Sequence, residues 1–204
     1  MDAVRLHELR SSLVADVLDE LGLEGVIPDL FPIYKEALAV GRAMPVLVRS
    51  AKNSPLGLRE GLMNAVDDSP KSSILVISSD TRTCSVWGGL TSRYAKLSGV
   101  AGVIVCGAVR DTFEITRLRL PVFSYTVTPI SGYNRVEIVS SGTPIKCGSV
   151  VVQKDDLVVA DREGVAIVQA AMIQDVLERA SRHQAKERQH IHEMRRKAKH
   201  HRSR

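Results

Sequence analysis

Apolar residues recur every three or four positions near the start of the chain. Leucines and a valine at this spacing predict an amphipathic helix over residues 3–21, and Gly22 predicts its end. Residues 56–66 and 171–200 also have helical patterns, but in the second of these segments the apolar positions are confined to the first turns. We therefore expect the beginning of this C-terminal helix to dock on the body, and the remainder to be solvated or bound to a partner.

Short runs of β-branched and other apolar residues lie between the helical segments. The predicted strands include residues 39–50, 72–79, 100–105 and 121–125. A helical segment follows Gly88-Gly89, residues 107–111 are predicted to form a turn, and residues 111–118 are predicted to form a further helix. Strands and helices that alternate within about 50 residues are typical of a parallel α/β unit.

From residue 135 onward the pattern changes to short β-rich pieces separated by polar and glycine-containing turns. Such spacing predicts antiparallel hairpins. The fold class expected from the whole chain is therefore α/β, with a central mixed sheet flanked by helices and a C-terminal helix.

Charge is distributed unevenly along the chain. Residues 179–204 contain ten Lys or Arg and two Glu, whereas the other 178 residues contain 18 basic and 21 acidic residues. We therefore expect a single catalytic domain over residues 1–178 and a basic helical tail over 179–204. Lys and Arg clusters attract phosphates without reading base sequence. Two interpretations of the tail stay open: a solubilising appendage, or a weak and non-specific contact with RNA.

Cysteine usage and hydropathy limit the kind of protein. Three scattered cysteines form no C-x-x-C pair, which argues against a disulfide framework or a thiolate zinc site. No apolar run approaches the roughly 18 residues that a membrane span needs, and the N-terminus has no apolar signal core. We expect a cytoplasmic protein without a membrane partner.

Two polar turns follow predicted strands and could share one crevice. Gly88-Gly89 precedes a helix, whose free N–H groups can bind an anion. Arg110-Asp111 offers a guanidinium that can fork onto a carboxylate and a carboxylate that can hold Mg²⁺. The ends of successive parallel strands lie at one sheet edge, so we expect both turns to face a small keto acid. An ordinary turn at the glycines and a capping box from Asp111 to Glu114 remain alternatives.

The segment VWGGLTSRYAKLSGVAGVIVCGAVRDTFEI closely resembles the central signature of the RraA-like family. That signature is a glycine-rich turn, about twenty residues and then Arg-Asp, and here twenty residues separate Gly89 from Arg110. The family includes regulators of ribonuclease activity and class II 4-hydroxy-4-methyl-2-oxoglutarate aldolases, which also decarboxylate oxaloacetate. The resemblance implies a swivelling β/β/α fold that assembles as a homotrimer or hexamer, with sites between subunits.

The resemblance also implies roles for individual residues. The substrate carboxylate would be held by backbone amides of Gly88, Gly89, Leu90 and Thr91. Arg110 would bind the keto or enolate oxygen, and Asp111 would ligate Mg²⁺ or Mn²⁺. Glu114 would lie just outside the metal ligands, and Glu187 is a candidate for the glutamate that a neighbouring subunit contributes through its C-terminal helix.

The resemblance favours an enzyme, although the chain departs from the family pattern at Gly89 and at Lys154-Asp155-Asp156, where the family usually has Pro-Gly-Asp. Many aldolases of this group have an acidic residue where this chain has Gly89. The nuclease-regulating members lack the Asp of the Arg-Asp pair, which this chain retains as Asp111. The predicted function is a metal-dependent lyase that cleaves or decarboxylates pyruvate-containing keto acids. A non-catalytic regulator that binds a ribonuclease or RNA is the alternative.

Overall fold

A computed structural model describes residues 8–52 and 57–202 of the chain. Its α-helices are α1 (Ser11–Leu21), α2 (Leu58–Asp67), α3 (Gly89–Leu97), α4 (Thr112–Leu118) and α5 (Ile173–Arg202). Its strands are β1 (Val26–Ile27), β2 (Phe31–Pro32), β3 (Ala39–Ser50), β4 (Ile74–Ser79), β5 (Ser85–Trp87), β6 (Gly102–Val109), β7 (Val122–Val127), β8 (Val136–Ser141), β9 (Ile145–Cys147), β10 (Val150–Val152), β11 (Leu157–Asp161) and β12 (Gly164–Val168).

In the described part of the chain, ten strands form one mixed sheet. Eight follow the path β1-β12-β11-β3-β4-β6-β7-β2, and off this path β5 pairs with β6 and β8 with β3. Its centre is parallel, because β3, β4, β6 and β7 pair in the same direction and β5 adds a short parallel pairing to β6. The other pairings are antiparallel, and β9 and β10 form a separate hairpin. The expected α/β class with a mixed central sheet and hairpins in the second half is confirmed.

Apolar side chains cover both faces of the sheet. All eight residues of β6 are buried, as expected for a central strand covered on both sides. Helices α2, α3 and α4 pack on one face through residues that include Leu62, Ala95 and Ile115. The β9–β10 hairpin covers the other face, and α1 packs with the start of α5 on β11 and β12. The turns Gly88-Gly89 and Arg110-Asp111 therefore follow strands whose side chains are buried in this core.

The first helix begins later than its apolar pattern predicts. Residues 3–7 lie outside the described part, but Arg10 has an extended backbone and the α-helix starts at Ser11. Asp161, from the hairpin between β11 and β12, accepts hydrogen bonds from the Ser11 N–H at 2.7 Å and the Ser11 Oγ at 2.6 Å. The end of the helix is confirmed, because Gly22 adopts a left-handed conformation there.

The turn predicted over residues 107–111 is wrong in its first half. Gly107, Ala108 and Val109 continue β6, because Ala108 pairs with Ser85 of β5 and with Thr126 of β7. Two neighbouring strands thus hold this segment extended. The turn is reduced to Arg110 and Asp111, which leave the sheet directly from a paired strand.

The C-terminal segment forms one 30-residue helix, α5, which contains the predicted domain boundary at 178/179. Its beginning docks as expected, since Ile173, Val176 and Ala180 are buried. His183 Nε2 lies 2.8 Å from Glu20 Oε1 of α1. Nearly all side chains over 185–198 are exposed. None of the helices in the described part of the chain combines the length and apolar character needed to cross a membrane.

Candidate active site

The glycine turn and the Arg-Asp turn lie side by side at one edge of the sheet. Trp87 and Val109 are partners in the parallel pairing of β5 and β6, so the residues that follow them leave the sheet together. The Arg110 N–H donates to the Trp87 carbonyl at 3.0 Å. The Gly89 N–H donates to Asp111 Oδ2 at 3.0 Å. The structure therefore brings together two turns that are about twenty residues apart in the sequence.

The carboxylate of Asp111 does not cap its own helix, so the capping-box interpretation is wrong. Asp111 has a left-handed backbone (φ 57°, ψ 39°), and its side chain makes no capping hydrogen bond. Its main-chain carbonyl accepts the first helical bond from the Ile115 N–H at 3.1 Å. Left-handed geometry is unfavourable for most residues other than glycine, although Asp tolerates it, and such conformations concentrate at functional sites. Here it turns the carboxylate toward the glycines.

Asp111 carries its charge at the surface of the site. Its side chain is 46% exposed, and Oδ2 lies 3.6 Å from Arg110 Nε. The Arg110 side chain is 36% exposed, so neither group is buried away from a ligand. Solvent screens a pair of this kind, and it contributes little to stability. The arrangement instead leaves a cation and a carboxylate available on one wall.

The absence of side chains at Gly88 and Gly89 creates the room for this arrangement. A Cβ added at Gly88 would lie 2.9 Å from Asp111 Oδ2. A Cβ at Gly89 would lie 3.1 Å from Glu114 Cγ and 3.2 Å from Asp111 Cβ. Glu114, paired with Arg93, thus occupies the space beside position 89. An acidic side chain at position 89 would have to displace it.

The four amides predicted to hold a carboxylate fall into two pairs. The Gly88 N–H donates to Thr91 Oγ1 at 3.2 Å, and the Gly89 N–H is engaged by Asp111. The N–H groups of Leu90 and Thr91 lie in the first turn of α3 and have no acceptor among the described residues. Helix N-termini leave such donors free, and they favour anions. The second pair is therefore ready to accept a carboxylate as the structure stands.

Trp87 and Thr91 fix the shape of the glycine turn. Trp87 is 2% exposed and donates from Nε1 to Ser92 Oγ at 2.7 Å. The Thr91 hydroxyl donates to the Gly88 carbonyl at 2.9 Å. Both contacts tie the start of α3 to the end of β5, so the turn is held from both sides.

A cavity of about 400 Å³ opens in front of these groups. It has three walls: the two turns form the first, the first turn of α2 from Gly57 onward with Met63 forms the second, and residues 131–133 after β7 form the third. This volume lies within the roughly 300–1,000 Å³ typical of small-molecule sites. All residues predicted for the site line it, namely Gly88, Gly89, Leu90, Thr91, Arg110 and Asp111.

Sequence reasoning missed two of the three walls. The unpredicted lining residues are Arg59 and Glu60 of α2 and Tyr133 of the third wall. The helix α2 itself was predicted, but not its place at the cavity. A signal was present, because α2 and residues 131–133 follow β3 and β7, which run parallel to β4 and β6. The same rule that paired the two turns also brings these segments to one sheet edge.

Asp111 also lines a second, shallower space of about 480 Å³. Leu90, Phe113 and Glu114 lie on this side, and Phe113 is 83% exposed. Asp111 therefore lines two neighbouring spaces: the cavity, which α2 also lines, and the shallower space, which is bordered by apolar side chains of α3 and α4.

The residues present fit a hard divalent cation with few protein ligands. No group of three or more His, Cys, Asp or Glu that could hold a metal occurs within residues 8–52 and 57–202. Mg²⁺ is commonly bound through one or two carboxylates while it keeps several waters. The exposed Asp111 carboxylate lines the cavity and supplies one such ligand. Glu114, on the adjoining helical turn, is paired with Arg93 and lines the second space.

Cys106 and the predicted candidate Glu187 both lie away from the site. Cys106 is buried in the apolar core on the opposite face of the sheet and lines neither space. A hydrogen bond with Cys147 and burial raise the pKa of the Cys106 thiol well above its usual range. Glu187 lies on the exposed part of α5 and lines neither space.

Comparisons with known proteins agree with the fold and with the signature. A family model described as RraA-like, Aldolase/RraA, matches residues 14–167. The chain is 29% identical over 181 residues to a Halalkalibacterium halodurans protein named "Putative 4-hydroxy-4-methyl-2-oxoglutarate aldolase", covering 89% of this chain and 82% of that protein. It is 30% identical over 176 residues to Protein DlpA of Legionella pneumophila, covering 85% of this chain but only 28% of the Legionella protein.

Two solved structures share the fold of this chain. Streptomyces coelicolor RraAS2, titled an unusual member of the RNase ES inhibitor RraA protein family, superposes with a TM-score of 0.80 at 23% identity, covering 93% of this chain and 95% of that one. A Pseudomonas syringae protein of uncharacterized function superposes with a TM-score of 0.81 at 27% identity, covering 89% and 82%. With a family model that spans most of its length, the chain belongs to the RraA-like (Aldolase/RraA) family.

Proposed function

We propose that this protein is a divalent-metal-dependent lyase that cleaves or decarboxylates keto acids containing a pyruvyl group. The observation that carries the proposal is the shared cavity: the Asp111 carboxylate, the Arg110 guanidinium and the free amides of Leu90 and Thr91 face one space. The names of relatives such as the Halalkalibacterium protein support an aldolase of the 4-hydroxy-4-methyl-2-oxoglutarate type. Oxaloacetate decarboxylation is the second reaction proposed for the same site.

Each group has a distinct role in this proposal. Asp111 would hold Mg²⁺ or Mn²⁺, and the cation when bound supplies Lewis-acid stabilisation of developing negative charge. The amides of Leu90 and Thr91, with those of Gly88 and Gly89, would bind the substrate carboxylate. Arg110 would donate to the keto oxygen, where charge accumulates as the carbon–carbon bond breaks. The free Leu90 and Thr91 amides need little reorganisation to bind the carboxylate, whereas the Gly88 and Gly89 amides would first have to release Thr91 Oγ1 and Asp111 Oδ2.

The protein's organisation belongs to the same proposal. Residues 1–178 would form the catalytic domain of a cytoplasmic protein, and 179–204 a basic tail. Assembly as a homotrimer or hexamer would bring Glu187 of a neighbouring subunit toward the site, near the proposed metal ligand Asp111. The exposed second half of α5 and the exposed Phe113 are the features of the single chain that such an assembly would use.

Replacement of Asp111 tests the lyase directly. Asp111→Ala should lower kcat/KM for oxaloacetate and for 4-hydroxy-4-methyl-2-oxoglutarate by at least about 100-fold, because the charge of the proposed metal ligand is lost. Pyruvate release with Mg²⁺, with Mn²⁺ and with a chelator is the measurement. Asp16→Ala, at an exposed position of α1, is the matched control. Wild-type turnover by a folded Asp111→Ala protein would refute the proposal.

A regulator that binds a ribonuclease or RNA is the second candidate function. The observation that favours it is the exposed basic part of α5, together with solved structures titled as inhibitors of RNA processing or of an RNase. This function does not need the Asp111 carboxylate. A protein that binds RNA but releases no pyruvate from either keto acid would support it over the lyase.

A further inference from the structure

Arg59 forms part of the cavity wall contributed by α2. Its side chain is exposed and lines the same cavity as Arg110 and Asp111. It forms no ion pair or hydrogen bond with any of the described residues. An arginine fork matches the two oxygens of a carboxylate, so this guanidinium is a free recognition element in the wall of the proposed site.

The helix that carries Arg59 is firmly held. Leu62, Ala65 and Val66 of α2 are buried against the sheet. A Cβ added at Gly61 would lie 2.9 Å from Ile138 Cδ1, so the glycine allows α2 to approach β8 closely. The N-terminal turn of α2 is therefore kept at the mouth of the cavity by packing that is independent of any ligand.

The charges lining the cavity point to the kind of molecule it accepts. Among the described lining residues, the charged side chains are Arg59, Glu60, Arg110 and Asp111, whose formal charges cancel. A divalent cation at Asp111 would leave the cavity with two positive charges. A keto diacid brings two negative charges and a keto monoacid only one, so the diacid would neutralise the site.

We propose that Arg59 binds the distal carboxylate of the substrate and thereby selects keto diacids over keto monoacids. This inference rests on the proposed lyase function, in which Leu90, Thr91 and Arg110 already hold the pyruvyl end. For the aldol cleavage Arg59 is a specificity-determining residue in this arrangement, because the distal carboxylate that it binds lies outside the breaking C3–C4 bond.

A matched pair of substrates isolates this contact. 4-Hydroxy-2-oxoglutarate and 4-hydroxy-2-oxopentanoate differ only in a distal carboxylate or methyl group. Each is cleaved between C3 and C4: the hydroxyl proton is lost, the electron pair of the broken bond passes to C3, and a proton is added there. The products are pyruvate and glyoxylate or acetaldehyde, respectively, so atoms and charge balance in both reactions.

The experiment compares Arg59→Gln with the wild type on this pair. A charged hydrogen bond lost from a desolvated contact should lower kcat/KM for the diacid by about 10- to 100-fold and change it less than threefold for the monoacid. Arg59→Lys should recover part of the loss, because it restores the charge without the fork. Arg162→Gln, an exposed arginine in the turn between β11 and β12, is the control and should leave both values unchanged.

A binding measurement separates this inference from the lyase proposal. Calorimetric titrations with Mg²⁺ and either 2-oxoglutarate or 2-oxopentanoate compare the same two ligand classes without turnover. Weaker binding of 2-oxoglutarate alone to Arg59→Gln supports the inference even if no lyase activity is found. Equal losses for both ligands, or none for either, overturn it. Absence of pyruvate release by the wild type with intact diacid selectivity refutes only the lyase.

Discussion

At the scale of single residues, the site depends on the position of the Asp111 carboxylate. Its left-handed backbone and its bond from the Gly89 N–H hold the charge in front of the glycine turn. Glycine at position 88 is needed for space and not for backbone freedom, since its φ of −162° is open to any residue. The turn therefore allows a purely steric test of the geometry.

Gly88→Ala should impair activity much more than stability. The new methyl group would lie 2.9 Å from Asp111 Oδ2 and 3.2 Å from Arg110 Cγ, so one or both side chains must move. Displacement of reacting groups by about 1 Å can cost about 100-fold in rate, and we expect kcat/KM for oxaloacetate to fall at least about tenfold. Steady-state kinetics and thermal melting are the measurements.

Gly57→Ala is the comparison for that substitution. Among the described residues, none has an atom within 4 Å of a Cβ added at Gly57, which lies at another point of the cavity wall. Its effect on kcat/KM should be clearly smaller. Wild-type activity of Gly88→Ala would show that catalysis does not require the observed positions of the Asp111 and Arg110 side chains.

At the scale of elements, contacts from distant segments decide where a helix begins. Asp161 is 8% exposed and accepts hydrogen bonds from Ser11 and, at 3.0 Å, from the Glu163 N–H. The carboxylate thus accepts hydrogen bonds from Ser11 at the start of α1 and also from the turn of its own hairpin. The β11–β12 hairpin and α1 are joined by this one side chain as well as by apolar packing.

Asp161→Ala should lower the free energy of unfolding by about 2–4 kcal/mol, because two buried donors of Ser11 and the partly buried Glu163 N–H lose a charged acceptor. Ser11→Ala removes only the hydroxyl contact and should cost about 1 kcal/mol. Chemical denaturation monitored by circular dichroism measures both changes. Asp19→Ala, exposed on α1, should stay within about 0.5 kcal/mol of the wild type. A loss for Asp161→Ala no greater than that control would show that the cap is not important.

At the scale of the whole molecule, a mildly acidic body carries a basic helical extension. The first turns of α5 pack on α1, and the exposed remainder concentrates the positive charge. Within one chain, no described residue of the extension lines the cavity. In an assembly that brought Glu187 to a neighbouring site, RNA bound at the flanking Lys186 and Arg188 would compete with the proposed lyase.

Neutralising the extension tests its contact with RNA. A Lys186→Gln, Arg188→Gln, Arg195→Gln and Arg196→Gln variant should lose filter retention of single-stranded RNA. The slope of log affinity against log salt should flatten by up to about 3, since each phosphate contact contributes about 0.7. Neutralising the exposed body cations Lys35, Arg117, Lys154 and Arg162 is the control. Equal retention by both variants would exclude the extension as an RNA site.

The amino-acid sequence by itself determined the element types and the pairing of the two site turns. Periodicity and glycine positions are local properties, and they predicted β3 and the end of α1 at the residues observed. The rule for parallel strands then placed Gly88-Gly89 beside Arg110-Asp111, since it needs only strand order and direction.

The tertiary structure alone decided where the partners of those elements lie. The start of α1 depends on Asp161, 150 residues away, and the length of β6 depends on pairing with β5 and β7. Asp111 could have capped its helix, and only its left-handed backbone turned the carboxylate to the glycines. Arg59 entered the cavity wall because α2 packs where it does. Contacts between residues far apart in the chain leave no local pattern, so they become visible only when the chain is folded.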